Sequence, residues 1–114
     1  MANFEVGRSD NGEVSVLSIS GYLDAHTAKD FEKAFQELIK QERYKIVVSM
    51  EALDYISSAG MGVFMGFIEQ VRENSGDIKL SSVSKNVYKV FDLLGFPSLY
   101  EFYDESEEAQ KKFN

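Results

Sequence analysis

Two hydrophobic periods take turns along the chain. Apolar and polar residues alternate over Phe4–Arg8, and Val14, Val16, Leu17 and Ile19 mark a second strand that ends at Gly21. Asp10-Asn11-Gly12 between them supplies residues that tolerate positive φ, the signature of a tight hairpin turn. The period then lengthens. After Leu23-Asp24-Ala25, with Thr27 as N-cap, Phe31, Ala34, Phe35, Leu38 and Ile39 fall on one stripe of a helix. Lys45-Ile46-Val47-Val48-Ser49-Met50 is nearly continuous and apolar, as expected of a strand buried on both faces. A second helix over Ser58–Asn74 turns Met61, Phe64, Ile68 and Val71 inward, and Asn74-Ser75-Gly76 ends it. Asp77–Ser81 starts another strand. A third helix over Lys85–Leu94 turns Val87, Val90, Phe91 and Leu94 inward and stops at Gly95. Ser98–Phe102 reads as a last short strand, and Asp104 opens an acidic C-terminal helix.

The order ββαβαβαβα predicts an α/β fold. Its sheet of four or five strands is mostly parallel, mixed by the opening hairpin, with helices mainly on one face. Residues 1–114 are expected to form one domain, long enough to bury roughly two-thirds of the unfolded surface without disulfides or metal.

Composition narrows the chemistry. Cysteine is absent, which excludes disulfide scaffolds, thiolate metal sites and cysteine nucleophiles. Twelve basic against nineteen acidic residues give a net charge of −7. That balance argues against nucleic acid and anionic membrane surfaces as partners and favours a partner with a basic face. Met1-Ala2-Asn3-Phe4-Glu5 has no basic segment leading into an apolar run, and apolar stretches stay well short of the ~20 residues that span a bilayer. A cytoplasmic protein is expected.

The informative stretch is Leu53-Asp54-Tyr55-Ile56-Ser57-Ser58-Ala59-Gly60-Met61-Gly62, where a strand gives way to a helix at two serines. Serine before a helix is a preferred N-cap, so Ser57 can be read as the cap and Ser58 as an exposed first residue. The same geometry suits a covalent switch. Ser58 would stand near unpaired N–H groups and the positive end of the helix dipole, where a phosphate gains donors and a favourable field.

Tyr55-Ile56-Ser57-Ser58-Ala59-Gly60-Met61-Gly62 resembles the phosphorylation motif of the STAS-type anti-sigma factor antagonists, bacterial partner-switching regulators. Gly21-Tyr22-Leu23-Asp24 resembles their Gly-x-Leu-Asp turn, and Val87–Gly95 resembles their penultimate helix. The resemblance places the phosphoacceptor at Ser58 and the acidic turn residue at Asp24, with Asp24, Ser57, Ser58, Ala59, Gly60 and Met61 as the partner-binding set. It departs from the family at Ser57 and Ser49, where many members have carboxylates or Asn, and kinase recognition depends on such neighbours.

The resemblance implies a protein, monomeric when free, that binds an anti-sigma factor with an ATP-binding serine-kinase fold. Binding releases the sigma factor, phosphorylation of Ser58 ends it, and a PP2C-type phosphatase resets the protein. The chain would be a substrate and not an enzyme, with no cofactor of its own. The rival reading is a constitutive STAS subunit of a lipid-transport ABC complex or a stress-sensing assembly, in which Ser58 is only a cap and contact residue.

Other constellations are weaker. Gly60, Gly62 and Gly66 have the wrong spacing for a dinucleotide loop, and close packing of their helix on the sheet is the expected reason for them. His26, the lone histidine, lacks partners for a metal site or a triad. Asp104–Glu108 complements a helix N-terminus, and Phe96, Tyr100, Phe102 and Tyr103 are expected to close one end of the core.

Overall fold

In the computed structural model, which describes residues 3–113, strand neighbours in space are also strand neighbours in sequence. The elements are β1 (Phe4–Asn11), β2 (Val14–Leu23), α1 (Ala28–Lys40), β3 (Lys45–Ile56), α2 (Ser58–Glu73), β4 (Asp77–Ser81), α3 (Lys85–Leu93), a 3₁₀ turn (Phe96–Ser98), β5 (Phe102–Tyr103) and α4 (Ser106–Lys111). β1 and β2 pair antiparallel, and β2 through β5 run parallel. The hairpin turn needs positive φ at Gly12 alone, not at Asn11, which still belongs to β1.

The α/β class, the mixed sheet and, apart from Leu94, the helix faces agree with the sequence reading. The strands differ from it in extent: β1 runs on to Asn11 and β2 to Leu23. β3 continues past Met50 to Ile56, and β5 is reduced to Phe102–Tyr103 because Phe96–Ser98, with Pro97, coils into the 3₁₀ turn. β3 is hard to read because its pairing with β2 slips between Ser18 and Ser20 and again between Gly21 and Tyr22. Each slip changes which side chains point inward, so the alternation breaks.

The main core lies between the sheet and α1–α3. Ile46, Val48 and Met50 of β3 meet Phe31, Phe35, Phe64 and Phe91 there. Phe64 is fully buried and its ring meets five others: Phe31, Phe35, Phe91, Phe96 and Tyr100, with centroids 5.0–6.3 Å apart. Among the described residues the opposite face is covered only at one end. There Ala109 of α4 lies over Val14, Val16 and Val47, with Tyr103 and Phe113 alongside.

Lys79 of β4 is buried on that second face. Its ammonium is 2.7 Å from Glu101 and 3.4 Å from Asp77, and it sits 4.9 Å from the centre of the Phe113 ring. A lysine is tolerated inside only when paired in this way. Leu94, expected inward, is instead exposed beside Leu93, because α3 ends at Leu93 and Gly95 turns the chain with φ +76°.

α2 ends in a Schellman motif: the Gly76 N–H bonds the Val71 carbonyl at 3.0 Å and the Ser75 N–H bonds the Arg72 carbonyl at 3.1 Å. Ser75 takes the left-handed position, φ +65°, which usually belongs to glycine. Ser75→Gly should therefore raise stability by about 1 kcal/mol, measurable by urea unfolding. Unchanged or lower stability would show that the serine is unstrained there. Gly76 could not be exchanged the same way, because a Cβ would lie 1.9 Å from the Tyr44 carbonyl oxygen.

Candidate functional site

The two segments singled out in the sequence meet at the carboxyl ends of β2 and β3, where open α/β sheets place their sites. Tyr22 stands opposite Tyr55 and Leu23 opposite Ile56 in the parallel register. One step on, the Ser57 N–H bonds the Leu23 carbonyl at 2.9 Å, which sets the start of α2 beside the turn containing Asp24.

Ser58 opens α2 and is exposed. The Ser57 carbonyl takes the first intrahelical bond, from the Met61 N–H at 3.1 Å. The N–H groups of Ser58, Ala59 and Gly60 therefore have no helical acceptor. Ser57 has the backbone of a cap, φ −103° and ψ 173°, but its side chain makes no capping bond. Its hydroxyl oxygen is buried and has no partner among the described residues. A polar group left in that state forgoes about 1–3 kcal/mol.

This corrects the expectation that Ser57 stabilises α2 as its cap. Ser57→Ala should leave unfolding stability unchanged or slightly higher. A loss near 1 kcal/mol, the usual result of removing a cap, would show that the hydroxyl caps the helix in solution.

Thr27 does not cap α1 through its side chain either. Its hydroxyl donates to the Tyr22 carbonyl at 2.7 Å and accepts the Asp24 N–H at 2.9 Å. Asp24 performs the local task instead, its Oδ1 accepting the N–H groups of His26 at 2.9 Å and Thr27 at 3.1 Å. Desolvation pulls the Asp24 carboxyl upward, but these donors outweigh it and hold the group below its ordinary value. Asp24 thus shapes the loop next to Ser58 while its carboxylate stays charged.

Gly60 and Met61 are buried, so the exposed contact set is narrower than the sequence suggested. A Cβ on Gly60 would lie 2.6 Å from Leu23 Cγ and 3.1 Å from Ile56 Cγ1, so glycine here lets α2 sit against β2 and β3. Gly62 and Gly66 border open space, which removes the close-packing reason expected for them. Ser49 pairs with Ser18 and Ser81 in mid-sheet, well short of the Ser58 end of β3.

The sequence reading did not combine Tyr22 with Tyr55. Their rings are tilted with centroids 6.0 Å apart, and both are about half exposed, which gives the site an aromatic flank. Each lay in one of the two motifs, and only the parallel register joins them.

The family model described as STAS domain matches residues 8–109. The anti-sigma F factor antagonist of Paenibacillus polymyxa is 25% identical over 108 residues, which cover 94% of this chain and 92% of that protein. An anti-sigma factor antagonist from Mycobacterium paratuberculosis superposes with a TM-score of 0.88 at 20% identity, covering 96% of this chain and 93% of that one. The Bacillus cell fate determinant SpoIIAA in its phosphorylated form superposes with a TM-score of 0.73 at 23% identity, covering 97% and 99%.

Proposed function

Because the chain belongs to the STAS-domain family, we propose that it is an anti-sigma factor antagonist switched by phosphorylation of Ser58. The unphosphorylated protein binds an anti-sigma factor and thereby releases a sigma factor. That anti-sigma factor is a serine kinase with an ATP-binding fold. It moves the γ-phosphoryl group of its own ATP onto Ser58 Oγ, leaving ADP and displacing the hydroxyl proton. A PP2C-type phosphatase hydrolyses the ester. This chain contributes the acceptor hydroxyl and no catalytic base.

The observation that carries the reading is the contrast between adjacent serines. Ser58 is exposed at the head of a sixteen-residue helix with free N–H groups, while the Ser57 hydroxyl is buried. An incoming kinase can reach only the first. The phosphate adds about −1.5 to −2 charges at the centre of the contact surface. Burying that charge against a partner that lacks a counter-charge costs several kcal/mol, and each 1.4 kcal/mol lowers affinity tenfold. The P. polymyxa relative is an antagonist by name over nearly the whole of both chains, which favours this reading over a constitutive transport or stress-assembly subunit. Among the described residues no helix is long and apolar enough to cross a membrane.

Incubation with the cognate kinase and ATP should add one phosphate, mapped by peptide mass spectrometry to Ser58. A phosphate on Ser57, or none, would remove the reading.

A further inference from the structure

Ser57 brings an unused hydroxyl to the residue beside the phosphoacceptor. Its backbone already has the capping conformation, yet the hydroxyl oxygen, with under 1 Å² exposed, bonds to no N–H of α2 and to nothing else described. Buried polar groups without partners are rare in folded proteins. Here the orphan stands at the head of a helix whose first three N–H groups are also unclaimed among the described residues, and the next side chain along is the exposed Ser58 hydroxyl.

We infer that these unclaimed donors are the seat of the phosphate once Ser58 carries one. Rotation about a single bond, χ1 of Ser57, frees its O–H to donate to a phosphate oxygen while the first-turn N–H groups supply further donors. A phosphate dianion accepts such bonds more strongly than a neutral oxygen does, and the helix dipole adds to them. A carboxylate at position 57 could not do this, having no proton to give and a charge of the same sign. The inference rests on Ser58 being the acceptor and deepens that reading: modification orders the head of α2 from within as well as altering the surface.

The test avoids the kinase. Phosphoserine placed at position 58 during translation gives the modified chain directly, in the parent and in Ser57→Ala and Ser57→Thr variants. In ³¹P NMR titration the second phosphate ionisation, ordinarily near pH ~6, should fall in the parent, return toward its ordinary value in Ser57→Ala, and stay low in Ser57→Thr. Thermal unfolding should show the phosphate raising the midpoint of the parent more than that of Ser57→Ala. Unmodified Ser57→Ala should melt no lower than the unmodified parent.

Identical titrations for parent and Ser57→Ala would overturn the inference. So would an unmodified Ser57→Ala that melts lower, because the hydroxyl would then already be capping α2. A kinase that leaves Ser58 untouched would defeat the proposed function and leave these measurements intact, so the two failures are separable.

Discussion

Phe64→Ala should cost about 3–5 kcal/mol of folding stability, a large share of the roughly 5–15 kcal/mol that a domain of this kind has in total. The side chain is fully buried and touches rings from α1, α3, the 3₁₀ turn and the segment before β5. Its removal leaves a cavity that no single neighbour can fill, since the surrounding rings already pack on one another: Phe31 on Phe35, and Phe96 stacked on Tyr100 at 4.9 Å. Beyond lost burial, edge-to-face pairs of this kind contribute about 0.5–1.5 kcal/mol each. Denaturant unfolding measures the loss. A cost below 1 kcal/mol would mean that the aromatic cluster collapses freely and is not the centre of the core.

Ser58→Asp should leave the fold intact and weaken binding to the anti-sigma factor proposed as its partner at least tenfold, roughly 1.4 kcal/mol. A carboxylate in the first turn of α2 is favoured by the helix dipole by about 0.3–1 kcal/mol, and Ser58 is exposed, so no buried neighbour opposes it. Stability should hold or rise slightly while affinity falls. Ser58→Ala should keep the binding and refuse the phosphate. Titration calorimetry beside thermal unfolding separates the two effects. If Ser58→Asp binds the anti-sigma factor as tightly as the parent, charge at this position is not the switch.

The elements whose hydrophobic period is unbroken were legible in the sequence. Most of the inward faces of α1 and α2 could be read, since Phe31, Phe35, Leu38, Met61, Phe64, Ile68 and Val71 are all buried, although Ala34 and Ile39 are only half-buried and buried Val63 falls outside that reading. The missed features share a cause: they depend on what lies across a strand or beneath a helix. The extension of β3 to Ile56 passes through exposed Glu51, Ala52, Asp54 and Tyr55; Ala52 and Tyr55 pair with Ser20 and Tyr22, while Glu51 and Asp54 fall at the two slips, so register and not pattern holds the segment. Lys79 reads as a solvent-facing lysine until α4 and Phe113 close over it. Ser57 and Thr27 have the residue types and positions of caps, but the local side-chain bonds are made elsewhere or not at all. Of the candidate site residues, Ser58 and Asp24 are singled out by the resemblance of their motifs to the family's, and the fold sets the two segments side by side. Their proximity follows from a backbone bond between Ser57 and Leu23 that no local pattern encodes.

The strand order also bears on how the chain assembles. Every parallel strand pairs with the strand one crossover away along the chain: β3 beside β2, β4 beside β3, β5 beside β4. No strand has to wait for a distant segment to be threaded between two others already in place. The sheet can therefore grow outward by accretion as the polypeptide leaves the ribosome, each loop closure being of moderate length and entropic cost. Ser58 emerges at about the midpoint of synthesis. Phe96 and Tyr100, which seal the pocket around Phe64, arrive nearly last. Until they dock, the helix carrying Ser58 lacks part of its aromatic packing, so completion of the core around that helix waits on the final fifth or so of the chain.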